Sequence, residues 1–215
     1  MTTSQLLRYE PAVPAPALLT QSALTEIALP QPALGAGPAL MSALASRRSV
    51  RDFTAQTLTQ QQLAELLWAA DGVNRATGGG RTAPSPHGVQ EIDIYAALPE
   101  GVYRYEPGTH KLKLKRAVDA RNLTGYQDFV GRAPLDLVYV VNYGRLLDMP
   151  AQQRDIFSAA TAGAIAQNVS LYCAASGLGA VVRGWLNRRN LAEAIGLNED
   201  EVPILAQTVG VPVHP

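Results

Sequence analysis

Within six residues, Ser46-Arg47-Arg48-Ser49-Val50-Arg51, the chain gathers three guanidinium groups and two hydroxyls. Guanidinium forks match the oxygens of a phosphate, and hydroxyls with backbone N–H groups complete such a site. The chain has 18 basic and 18 acidic side chains in 215 residues, so this is a local concentration and not part of a basic surface. The same stretch also reads as two arginines complementing a helix C-terminus, with the third paired to Asp52. A second stretch, Arg81-Thr82-Ala83-Pro84-Ser85-Pro86-His87-Gly88-Val89-Gln90, combines backbone-fixing prolines with small residues that let a flat ligand approach. His87 there suits either an acid–base group or a solvent-exposed loop residue. A third, Gly177-Leu178-Gly179-Ala180-Val181-Val182-Arg183-Gly184-Trp185, leads from a helix into an apolar run. Its backbone N–H groups suit a ligand heteroatom, or it is a plain helix-to-strand connection.

Other chemistries lack their residues. His87, His110 and His214 are far apart and Cys173 is the sole cysteine, so neither a zinc site nor a disulfide framework is expected. Balanced charge and 6% aromatic content argue against a nucleic-acid or polybasic membrane-surface binder. No basic segment followed by an apolar core opens the chain, which leads to the expectation of a cytoplasmic protein. The uncharged run Ile156 to Val182 is dominated by small residues and broken by Gln167, Asn168 and Ser170, unlike a membrane span.

The elements that must position these stretches follow from periodicity and punctuation. Residues 1 to 37 read as a Pro/Ala-rich arm, with Pro11, Pro14, Pro16, Pro30 and Pro32 interrupting any helix; residues 38 to 215 read as one domain. Pro38 falls where the first helical position would be for a short helix over Ala39 to Ser46. Thr59 and Gln62 have capping-box spacing ahead of Leu63, Leu66, Leu67 and Ala70, with Gly72 as a stop. Asn74 to Pro86 reads as one long loop. Glu91 to Leu98 alternates as a strand, with Ile92, Ile94 and Ala96 on one face. Val102 to Tyr105 and Lys111 to Lys115 flank a hairpin turn, and the row Lys111, Lys113, Lys115 marks a solvated, edge-type strand. Leu135 to Val141 is a central strand, Asp155 to Ser176 a long small-residue helix closed by Gly177, Leu191 to Ile195 a short helix, and Ile204 to Val211 a last strand. The expected class is α+β, a mixed or antiparallel sheet flanked by helices.

In their order along the chain, the three stretches resemble the nitroreductase family. Arg47 to Phe53 is similar to its opening motif, and Arg81 to Ser85 leading to Gln90 is similar to its second. The Gln167-Asn168 helix followed by Gly177-Leu178-Gly179 and Val182-Arg183-Gly184 completes the likeness, which spans about residues 38 to 213. The Pro-Ser loop and the Tyr103 hairpin resemble the thiazoline and oxazoline oxidase branch. The resemblance implies an intertwined homodimer with FMN in each of two clefts between subunits. It implies that Arg47, Arg48, Ser49 and Arg51 hold the FMN phosphate and ribityl chain. Pro84, Ser85, Pro86, His87 and Gly88 of the other subunit would line the ring, Gln127 would touch its pyrimidine edge, and Val182, Arg183 and Gly184 would lie at its face. It further implies NAD(P)H as donor and a small planar oxidant as acceptor, with no catalytic side chain or metal required. Two departures accompany it. The ending Gly210-Val211-Pro212-Val213-His214-Pro215 lacks the basic residue many relatives direct at the phosphate, with Arg183 or another arginine as substitute. The lysine many place beside the pyrimidine edge has only Arg132 as a candidate. The readings that compete with a nitroreductase are a flavin-dependent dehydrogenase or oxidase of a peptide-derived or small heterocycle, a non-catalytic FMN-binding protein, and a flavin-free interaction module.

Overall fold

The structure is a computed structural model that describes residues 24–35 and 37–214. Its strands are β1 (Glu26–Ala28), β2 (Val73–Arg75), β3 (Gly80–Arg81), β4 (Ile92–Leu98), β5 (Gly101–Glu106), β6 (Lys111–Arg116), β7 (Leu135–Asn142), β8 (Gly179–Arg183) and β9 (Glu201–Gly210). Its α-helices are α1 (Leu40–Ser46), α2 (Gln60–Asp71), α3 (Ala151–Ala175) and α4 (Arg188–Ile195). Seven strands form one sheet in the order β1-β6-β5-β4-β7-β9-β8, antiparallel at every pairing. Short hairpins account for β4-β5-β6, and β7 then enters between β4 and β9. The fold class is the expected α+β.

Layering explains why the central strands read as nearly continuous apolar runs. On one face Ile92, Ile94, Ala96, Leu135, Leu137 and Tyr139 pack with Leu63, Leu66, Leu67 and Ala70 of α2 and Ile165, Ala166 and Val169 of α3. On the other, Tyr95, Ala97, Val138, Val140 and Ala206 pack with Leu186, Leu191 and Ile195 on and ahead of α4. Two buried faces need apolar residues at both parities of a strand.

Local signals act as their chemistry demands. The Thr59 side chain accepts from the Gln62 N–H and the Gln62 side chain accepts from the Thr59 N–H, a reciprocal cap that fixes the start of α2. At the end of α3, Gly177 takes φ +72° and the Leu178 N–H bonds back to the Cys173 carbonyl, so the helix stops and the chain turns into β8.

Four details differ from expectation. Pro38 precedes the cap residue of α1, Ala39, instead of occupying the first helical position. The 74–86 stretch carries most of the small β2–β3 hairpin, whose glycine-rich turn disguises it as loop. β8 is itself a strand of the main sheet. The lysine-bearing β6 is one strand in from the edge, because Glu26, Ile27 and Ala28 pair with Lys113, Leu112 and Lys111. Lys113 and Lys115 are exposed, and Lys111 reaches Glu26 at 2.6 Å. Within the segment read as an arm, residues 26–28 thus extend the sheet and Leu29 enters the core. The prolines and leucines of residues 1–23 lie outside the described residues. Among the described residues no helix is long and apolar enough to cross a membrane.

Candidate active site

The arginine segment is laid along the free side of β8. Ser49 bridges Ala180 in parallel, the Val50 N–H donates to the Ala180 carbonyl at 3.0 Å, and Val50 packs so closely on Gly179 that a Cβ there would lie 2.8 Å from it. Farther on, the Thr54 N–H donates to the Val211 carbonyl and the Val213 N–H to the Asp52 carbonyl, while Phe53 is buried. Backbone and apolar side chains anchor the segment, so Arg47, Arg48, Ser49 and Arg51 remain exposed. Arg47 and Arg48 line a cavity of about 530 Å³ with Ser46, Ser170, Cys173 and Pro212. Among the described residues no carboxylate forms an ion pair with Arg47, Arg48 or Arg51. The alternative pairing of Arg51 with Asp52 is therefore not realised. The Arg48 guanidinium donates to the His214 carbonyl at 3.2 Å.

The third stretch continues the same strip. From Ala180 to Gly184 the chain advances roughly 13 Å at strand spacing, ending at exposed Gly184 beyond Val182, which is 40% exposed. Strand alternation turns Arg183 the opposite way, into the protein, where it is 5% exposed. There its guanidinium donates to Asp136 Oδ1 at 2.6 Å, to Thr124 Oγ1 at 3.0 Å and to the Thr124 carbonyl. Burial pushes the Asp136 carboxyl up, while Arg183 and the Thr208 hydroxyl that donates to it pull the other way. Arg183 is thus spent internally, and its guanidinium does not stand in for the C-terminal basic residue. Gln127 lies beside it. A Cβ on Gly125 would come within 2.6 Å of Gln127 Oε1, and also clash with Arg183 Nη1, so glycine is what lets the two side chains meet. Gln127 Oε1 is buried without a hydrogen-bond partner. Arg132, by contrast, is exposed and forms no ion pair among the described residues.

The second stretch is elsewhere. Ser85 is held from both sides, its hydroxyl donating to Glu91 Oε2 at 2.7 Å and accepting from the Gln90 N–H at 2.7 Å. The turn that follows holds His87 and Gln90 at φ +52°, a left-handed conformation costly for both. Pro84, Ser85 and Pro86 face Phe157, Ala160 and Thr161 of α3, whereas His87 lines a separate hollow with Arg145 and Met149. The arginine cavity touches α3 near Ser170 to Ala174, so the two stretches meet this helix roughly 20 Å apart along its axis. One chain places Arg47, Arg48, Ser49 and Arg51 beside the Gly179–Ala180 end of β8, Val182 and Gly184 at its other end, and Gln127 next to the inward-turned Arg183, with Pro84 to Gly88 elsewhere. Between them the α3 face bearing Ile156, Phe157, Ala160, Gly163 and Gln167 is exposed, as are Leu40 and Met41 of α1.

Sequence reasoning missed Asp136, Thr124 and Glu91. The signal for Asp136 was present, since a lone carboxylate inside the apolar run Leu135 to Val141 must find a buried cation. No local signal marks Thr124, whose role depends on an arginine far along the chain.

The Nitroreductase family profile matches residues 44–211, from α1 to the end of β9. The chain belongs to the nitroreductase family. A Methanocaldococcus jannaschii protein named as a nitroreductase is 30% identical over 185 residues, covering 80% of this chain and 90% of its own. The crystal structure of a Ralstonia eutropha JMP134 protein described as a nitroreductase is 58% identical, with TM-score 0.89 over 96% of this chain and 97% of that one. More distant nitroreductase-fold chains share the architecture. The NADPH:FMN oxidoreductase of Vibrio harveyi, solved with NAD+, matches at 22% identity and TM-score 0.61, covering 81% of this chain and 69% of that one. A chain of the Escherichia coli microcin synthetase complex matches at 19% identity and TM-score 0.69, covering 76% and 68%. The nitroreductase framework is therefore that of an oxidoreductase, built around a sheet whose β8 edge carries the arginine segment.

Proposed function

We propose that the chain is an FMN-dependent oxidoreductase that takes reducing equivalents from NADH or NADPH and passes them to a planar acceptor such as a nitroaromatic or a quinone. The observation that carries this reading is the segment beside β8 in which Arg47, Arg48 and Arg51 have no carboxylate partner among the described residues, with Arg47 and Arg48 lining a cavity of about 530 Å³. Such donors suit a phosphate. The residues present thus fit FMN. Bound flavin supplies the hydride chemistry at its N5. Arg47, Arg48, Ser49 and Arg51 would hold the phosphate and ribityl chain, and the backbone from Val182 to Gly184 would present an N–H to the ring. Because the nucleotide and the acceptor would use the same open face beside Gly184, they bind in turn, the order expected of ping-pong kinetics.

Two copies are part of the proposal. Pro84 to Gly88 are remote from the arginines of their own chain, and an exposed apolar face on α1 and α3 lies between. Pairing two such faces would bury Leu40, Met41, Ile156 and Phe157 and carry each Pro-Ser loop toward the other copy's arginine strip. Such a homodimer has two equivalent clefts.

The deciding experiment is an anaerobic absorbance spectrum of the FMN-reconstituted protein before and after NADH or NADPH. Bleaching of the flavin band is the expected result. Bound flavin that stays oxidised would redirect the assignment to a substrate dehydrogenase or a flavin carrier, and absence of bound flavin would overturn it.

A further inference from the structure

Next to Gly184 stands an aromatic pair with one ring exposed. Trp185 is 72% exposed, although the residues around it are anchored: Arg183 and Leu186 are both buried. Its ring lies against Tyr126, with centroids 5.4 Å apart and planes inclined at 49°. The pair is assembled by one side chain. The Arg183 guanidinium, two residues before Trp185, donates to the carbonyl and hydroxyl of Thr124, two residues before Tyr126. Asp136 holds that guanidinium from beneath at 2.6 Å. Two rings on separate segments are therefore pinned together at their bases while Trp185 faces solvent. An indole fixed in this way keeps its apolar face in water, which disfavours the free state by the area left uncovered.

We propose that Trp185 and Tyr126 form the acceptor-selecting wall of the site, taking flat, uncharged aromatic molecules by stacking. The proposal rests on the flavin reading above, since it places the wall beside the strand that would carry the ring. Charge recognition is not available from Arg183, which Asp136 and Thr124 occupy. Val182, 40% exposed on the same strand end, adds apolar surface. Planarity and polarizability are what such a wall can read, so it would favour a naphthoquinone over a compact inorganic oxidant. Trp185 is a specificity-determining residue in this account, and no proton or electron passes through it.

The chain has two tryptophans, so Trp68→Phe isolates the Trp185 signal. In holoenzyme of that variant, menadione is expected to quench tryptophan emission saturably. In Trp185→Ala, at saturating nucleotide, the KM for menadione should rise about tenfold while that for ferricyanide changes far less, and Trp185→Phe should restore most of the loss. Unchanged KM for menadione would overturn the proposal, as would equal losses with both oxidants or conversion of the dimer to monomer on sedimentation. Loss of FMN affinity in Trp185→Ala would also overturn it, by making the ring a support for the cofactor. If the parent protein bound no FMN, the function reading would fail by itself; quenching would then decide the wall separately, and linear, non-saturating quenching would reject it.

Discussion

The Arg48 guanidinium donates to the His214 carbonyl at 3.2 Å, joining the first segment after α1 to the end of the chain. Backbone bonds from Val213 to Asp52 and from Thr54 to Val211 hold the two segments side by side. The 211–214 segment thus reaches the arginine strip and presents a carbonyl there. In the proposed phosphate site the guanidinium donors are Arg47, Arg48 and Arg51.

Removing one of them should be measurable. Arg48→Ala is expected to weaken FMN binding by about 1.5–3 kcal/mol, roughly 10- to 150-fold, the worth of a charge-assisted hydrogen bond. Flavin fluorescence titration checks this. Affinity unchanged within a factor of two would remove Arg48 from the phosphate site.

Arg183 should behave differently, as a group whose loss is felt in folding. Arg183→Met leaves Asp136 fully buried without its cation and should cost about 3–5 kcal/mol in urea unfolding. The double variant Arg183→Met, Asp136→Leu should regain most of that loss, because two apolar residues leave no uncompensated charge. A double variant as unstable as the single one would contradict this account.

Asp71, at the end of α2, pairs with Arg81 yet has its carboxyl pushed up to about 6, chiefly by burial, with Glu91 and Asp93 adding to the effect. A folded value above the ordinary 3.8 means that its contribution to stability is whole below that pH and is lost as the pH rises through about 6. In Asp71→Asn that dependence should vanish. The stability of the parent relative to the variant should therefore decline by roughly 2–3 kcal/mol between pH ~4 and ~7. Urea midpoints for both proteins across this range give the answer, and parallel pH profiles would refute it.

Ile156→Glu places a charge on the exposed face of α3 without touching the core, since Ile156 is 69% exposed. The expected outcome is a folded monomer by sedimentation that has lost most of its FMN affinity, because in the proposed dimer Pro84 to Gly88 would no longer reach the other copy's arginines. A monomer that binds FMN as tightly as the parent would show the site to be complete in one chain.

Much of the architecture was legible because it rests on short-range rules. The Thr59–Gln62 cap, the stop at Gly177 and the alternation of Ile92, Ile94 and Ala96 are decided within a few residues of each signal. β1 was not, because three residues between prolines become a strand only where the edge of β6 offers partners. β8 was read as a possible connection because its apolar run is short and begins at Gly179, two residues after the helix-ending Gly177. For the site, the arginine segment was visible from composition. The inward turn of Arg183 was not, since its direction depends on strand parity and on Asp136 and Thr124. Nor does one chain join Pro84 to Gly88 with Arg47; the proposed relation between them needs a second copy.

The β1–β6 pairing has a consequence for how the sheet survives its own fluctuations. Glu26 and Lys111 are 85 residues apart, so this contact closes a long loop for only three paired residues. It is a weak outer unit, expected to open far more often than the domain unfolds, and its amides should exchange with solvent well before those of β7. Each opening uncovers the backbone of β6, the kind of bare strand on which other chains assemble. What it uncovers there is Lys111, Lys113 and Lys115, a row of like charges that a second strand of the same kind must approach head-on. The border of the sheet is defended twice, by a strand while it is closed and by repulsion while it is open.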